Sequence, residues 1–167
     1  MTYFNSALAE TLTALSGFWK RQGVACPPLD LLYVLKVSAE IGVVPPPDFV
    51  QMYCALNGTP ELYPNWVDDN FCSFLPIEAL HTELKKLLVV TAERAKVEHA
   101  KVTLFVNFMY HSWDYGFIAD ADGEDYRIGI MPVDDVFKVL TTSLKTFLNW
   151  YVEDADILYD SNYPASS

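Results

Sequence analysis

Midway along this 167-residue chain the apolar residues change period, so one element type cannot serve both halves. Phe4, Leu8, Leu12, Leu15 and Trp19 recur at steps of three and four, the stripe of an amphipathic helix that Gly23 can end. After Pro27-Pro28, Asp30 is placed to cap a second helix with Leu31, Val34, Val37 and Ile41 inward and Gly42 at a left-handed stop. Pro45-Pro46-Pro47 breaks that helix and opens a third, short one through Phe49, Tyr53 and Leu56, ended by Asn57-Gly58. From Val102 onward the pattern is that of strands. Val102 to Phe108, Ser112 to Ala119 and Tyr126 to Met131 are rich in β-branched and aromatic residues, with Asp122-Gly123 as a hairpin turn. Val133 to Leu140 reads as one more strand, and Ser143 as the cap of a closing helix with Leu144, Phe147, Leu148 and Tyr151 inward.

Between the halves, Thr59 to Asn70 reads as a loop and Cys72 to Leu75 as a short strand. The spacing of Leu80, Leu84, Leu87 and Leu88 predicts a helix from Pro76 to about Ala95. Helices, then strands, then a closing helix is an α+β order without a repeated βαβ unit. The expected fold is a largely antiparallel sheet flanked by N-terminal helices, a middle helix and a C-terminal helix. Residues 1–160 read as a single domain and 161–167 as a flexible C-terminal tail.

Hydrophobic residues make up 51% of the chain and aromatics 14%, enough for a core without staples or a structural metal. Twenty-two acidic and 11 basic side chains give a formal charge of −11. Such a field repels nucleic acid and anionic membrane and draws cationic partners inward. Cys26, Cys54 and Cys72 include no close pair, which points to free thiols in a reducing compartment. The N-terminus has no basic stretch followed by an apolar segment, and no run approaches bilayer length. A cytoplasmic protein is expected.

No catalytic constellation emerges. His81, His99 and His111 are not at metal-ligand spacing. His111, Ser112 and Asp114 invite a hydrolase reading, yet no nucleophile-elbow motif accompanies them. Asp120, Asp122 and Asp125 crowd one turn, but Met131 stands where a calcium loop beginning at Asp120 needs its bidentate glutamate. The expectation is a protein that is not an enzyme, with no catalytic residue, metal or cofactor.

Four stretches, in order, resemble the SUKH superfamily, named partly after fungal cell-wall-synthesis regulators and abundant as bacterial immunity proteins. They are Ile41-Gly42-Val43 running to Pro46-Pro47-Asp48-Phe49, and Tyr53 with Leu56-Asn57-Gly58. Ser112-Trp113-Asp114-Tyr115-Gly116-Phe117 follows, with Tyr126-Arg127-Ile128-Gly129 after the hairpin, and then Ser143-Leu144 with Phe147-Leu148 and Tyr151. The resemblance spans about Asp30 to Tyr151. It implies an α+β fold and an immunity function: binding and blocking a toxin domain, often a nuclease, by protein–protein contact. A regulatory or scaffolding module of the same fold is the alternative.

Interface anchors combine aromatic area with orienting carboxylates. Glu61, Tyr63, Trp66, Asp68 and Asp69 give one loop that mixture, and Asp120, Asp122, Glu124 and Asp125 give the hairpin an acidic edge. Strand alternation sends Trp113 and Tyr115 to one face and Asp114 to the other, adding Asp114 to the expected contact set. The expected partner is a cognate toxin with a basic nuclease domain, with no nucleic acid or membrane contact and the chain itself a monomer.

Overall fold

The computed structural model describes residues 2–59, 68–108, 112–131 and 136–159. Three helices come first: α1 (Ser6–Arg21), α2 (Leu31–Glu40) and α3 (Pro47–Ala55). Each begins as its sequence dictates. The Asn5 side chain accepts from the Ala7 and Leu8 amides, Asp30 accepts from Leu32, and Pro47 occupies the first turn of α3. Gly23, Gly42 and Gly58 supply positive φ where these helices give way. The inner stripes hold at Leu8, Leu12, Leu15, Trp19, Val34 and Val37, whereas Phe4 and Leu31 lie at the surface and Ile41 is half-buried.

Six strands follow: β1 (Cys72–Phe74), β2 (His81–Val90), β3 (Ala95–Phe108), β4 (Trp113–Ala119), β5 (Tyr126–Met131) and β6 (Val136–Thr141). The last element of more than one turn, α4 (Leu144–Glu153), is capped by Ser143, whose hydroxyl accepts from Thr146. The expected middle helix is absent. Pro76 opens only a 3-10 turn at Ile77–Ala79, after which β2 pairs with β3 over ten residues, His81 opposite Leu104 through Val90 opposite Ala95. The leucine spacing misleads because 84 and 88 fit a helical stripe and one strand face equally well. The turn was also unsigned. Thr91 and Arg94 close it around Ala92-Glu93 with backbone and hydroxyl bonds, and no residue there has positive φ.

The α+β class holds, and among the described residues every strand pairing except β2–β6 is antiparallel, but the expected sheet closes on itself. β3 pairs with β2 and β4, β4 with β5, and β5 with β6, all antiparallel; β6 then meets β2 in parallel through Val136 and Phe137, and the five strands close into a barrel. β1 extends the barrel wall beside the far end of β3. A closed barrel this small leaves little room inside. Leu87, Val102, Leu104, Ile118, Met131 and Phe137 fill it, and the facing pair Gly116 and Gly129 makes space. A Cβ on Gly129 would sit 2.3 Å from the Lys138 carbonyl and 2.6 Å from the Phe137 ring.

The main core lies outside the barrel, between the helices and the outward face of β1, β3, β4 and β5. Aromatic rings dominate it. Phe49 packs on Phe105, Phe117 and Tyr126, and Phe74 packs on Trp19 and Tyr151. A shift in the β3 register between Leu104 and Val106 brings both Phe105 and Val106 onto this side.

Candidate interaction face and cleft

The helix layer covers one face of the sheet only in part. β2 and the first half of β3 carry that same face onward as a two-stranded ribbon. Paired positions along it are Thr82–Thr103, Leu84–Lys101, Lys86–His99, Leu88–Val97 and Val90–Ala95. Among the described residues nothing covers them, and Leu84, Leu88, Val90 and Val97 are 66, 53, 72 and 57% exposed. Lys86, His99 and Lys101 interleave with these aliphatics, and no carboxylate shares the face. The acids of the ribbon point the other way, where Lys85 pairs with Glu83 at 2.9 Å and Lys96 with Glu98 at 2.7 Å.

Where the helix layer stops, a cleft of about 550 Å³ opens. Val43 and Val44 form one wall, and Phe117 and Ala119 of β4 another. Leu84, Lys101 and Thr103 join the lining to the exposed ribbon, and the β4–β5 hairpin from Asp120 to Gly123 makes the lip. The lining mixes aliphatic and aromatic side chains with Thr82, Glu83, Lys101, Thr103 and Asp120. Among the described residues no group of three or more His, Cys, Asp or Glu is placed to hold a metal ion.

The hairpin folds around its own carboxylate. Asp122 Oδ1 accepts from the Glu124 and Asp125 amides, which holds its acid below the usual range. Gly123 takes φ +73 and donates to the Asp120 carbonyl. Asp120 lies 3.6 Å from Arg127, while Glu124 and Asp125 stay exposed. Four carboxylates thus stand within six residues of the hairpin, and Asp120 among them lines the cleft.

The structure divides the other expected contacts. Glu61, Tyr63, Trp66 and His111 lie outside the described residues. Asp69 is exposed, with its amide donating to Gln22. Asp114 is half-buried and accepts from Asn107 at 3.0 Å, away from the cleft lining. Trp113 and Tyr115 share the core side as expected; Trp113 stacks on Phe108 and donates to the Tyr115 hydroxyl.

Asp68 is a correction. It is only 4% exposed, so it offers nothing to a partner. Its Oδ1 accepts from the Asn70 and Cys72 amides, and the Tyr151 hydroxyl donates to Oδ2 while accepting from the Trp19 indole. Burial pushes the Asp68 acid up to about 7, against those amide bonds, with Asp69 and Asp154 adding to the rise.

The residues that sequence reasoning missed are Val43, Val44, Leu84, Lys86, Leu88, Val90, Val97 and Lys101. Their signal was present as period-two alternation of aliphatic and basic residues on both sides of Ala92-Glu93. A second groove, of about 780 Å³, runs between α1 and α3 past Cys26 and Cys54. Burial raises both thiols, Cys26 to about 11, so neither is a ready thiolate at neutral pH. No helix among the described residues is long and apolar enough to cross a membrane. Comparison with protein-family models, with curated proteins and with solved structures finds no match to this chain.

Proposed function

We propose that this chain works by binding another protein at the cleft and the ribbon face that continues from it. The carrying observation is the row of exposed aliphatics, Leu84, Leu88, Val90 and Val97, running out of a cleft whose lip is formed by the acidic β4–β5 hairpin. Monomeric soluble proteins rarely leave contiguous apolar area open without using it. Within this reading the partner is a basic toxin domain, most simply a nuclease, held and blocked in the manner of an immunity protein. Two supports favour that class: the excess of 22 acids over 11 bases, and the ordered motifs that resemble the SUKH superfamily. A phosphate-binding cleft on the partner would meet the hairpin carboxylates, and the aliphatics would supply the area that holds the complex.

A photo-crosslinker placed at Leu84, with one at Lys36 on exposed α2 as control, tests the site in the native cell. The Leu84 probe is expected to capture a basic chain whose toxicity falls when this protein is added. Capture at Lys36 instead, or a captured chain whose activity is unaffected, would remove the reading. The scaffolding alternative predicts that a deletion strain survives exposure to toxin-bearing neighbours as well as its parent.

A further inference from the structure

The ribbon also has an unused edge. Residues Ala95 to Val102 of β3 pair with β2 on one side only, and β4 joins the other side only from Thr103 onward. Among the described residues, nothing pairs with that free edge. A two-stranded ribbon alone is marginal in water, and an open edge is a template for another strand. The question is which strand the edge fits.

Charge along the edge answers it. Reading outward from Val97, Lys96 precedes and Glu98 follows; Glu93 stands four residues before and Lys101 four residues after. Each of these four charges therefore has an opposite charge at the mirrored position, and Arg94 falls opposite the neutral Ala100, so a strand of this sequence complements itself when turned end for end. Antiparallel self-pairing about Val97 sets Val97 against its own mate, Lys96 against Glu98, and Ala95 against His99. Glu93, at the turn, then points toward Lys101. Directly opposed residues share a face, and opposite charges there attract while like charges repel. The Lys96–Glu98 contact already present within one strand would become a ring of four alternating charges.

We propose that β3 pairs edge to edge with β3 of a second copy of this chain, about a two-fold axis at Val97. Such an isologous contact places residue i on j and j on i. Beyond the barrel, it turns the two-stranded ends of both ribbons into one four-stranded sheet, which supplies the strand number that each end lacks. It also brings the Leu88, Val90 and Val97 rows of both copies side by side on one surface. The contact is small compared with stable interfaces, so the dimer forms with concentration and loosens with salt.

Sedimentation equilibrium of the purified full chain across the micromolar range tests this. A concentration-dependent dimer is expected, weakened by added salt. Val97 is 57% exposed, so a charge there need not disturb the fold, and thermal melts verify that it does not. At a two-fold axis any charge meets itself, so Val97→Asp and Val97→Lys should each weaken the dimer by about tenfold or more. Glu98→Lys should do the same, and the double exchange Lys96→Glu with Glu98→Lys should restore the dimer. A chain that stays monomeric throughout overturns the proposal. So does a dimer that either Val97 variant leaves intact, or one that the double exchange fails to restore. None of these readouts involves a toxin, so the result is separate from the partner reading.

Discussion

Burial of the Asp68 carboxyl ties one proton to the folding of this chain. Its acid is raised from an ordinary 3.8 to about 7 in the fold, chiefly by loss of water. A raised carboxyl means that the folded state holds a proton which the unfolded chain has released between those two pH values. Its stabilisation is therefore full below about pH 4 and is lost as pH climbs toward 7, by on the order of 4 kcal/mol. Urea unfolding from pH 4.5 to 8 should show the slope, and Asp68→Asn should flatten that part of it. Asparagine keeps the oxygen for the Asn70 and Cys72 amides and presents an amide to Tyr151. An unchanged slope in the variant would assign the pH dependence to other groups. Nothing in the sequence distinguished Asp68 from Asp69, because adjacent carboxylates in a loop look alike until the Trp19–Tyr151 pair closes over one of them.

At the scale of elements, closure of the barrel and attachment of its helices have separate tests. Gly116 and Gly129 face each other across β4 and β5, and a Cβ on either would enter a backbone carbonyl. Gly129→Ala should cost about 3 kcal/mol, read as a lower denaturant midpoint. Little change would mean that the barrel has slack the packing does not suggest. The Tyr126 hydroxyl joins three elements: it donates to Asp48 in the first turn of α3 and accepts from the Leu144 amide that opens α4. Tyr126→Phe leaves both partners unsatisfied and should cost about 2 kcal/mol. The resemblance motifs had set Tyr126 beside Asp48 only as ordered letters; the fold gives them one hydrogen bond.

For the whole molecule, charge is divided by place. From His81 to Thr103 the chain has five cations, Lys85, Lys86, Arg94, Lys96 and Lys101, against three acids, Glu83, Glu93 and Glu98. Everything else carries six cations against nineteen acids. The ribbon segment is thus net basic while the rest of the chain is acidic, with the hairpin lip on the acidic side of the cleft. If a basic toxin domain is the partner, its association rate should fall about tenfold from low to physiological salt, measured by stopped flow. Changing Asp120, Glu124 and Asp125 to neutral amides should remove most of that dependence. Leu84→Asp should instead raise the dissociation rate, because it strikes the apolar part of the contact.

Local chemistry was enough to place the three N-terminal helices, the β4–β5 hairpin and the last helix. Each is specified within its own few residues, by a capping side chain, a proline at a first turn or a glycine that can take positive φ. The residues 76–95 were not decided that way. Their leucines satisfy both periods, and only ten cross-strand pairs with β3 make β2 the better answer. The same holds for the barrel, which depends on Phe137 reaching β2 from far along the chain, and for the buried Asp68. By itself the sequence determined the α+β class, the acidic hairpin and the local stops. Tertiary structure alone decided which face stays uncovered, because exposure depends on where the helix layer ends and not on any residue within the ribbon.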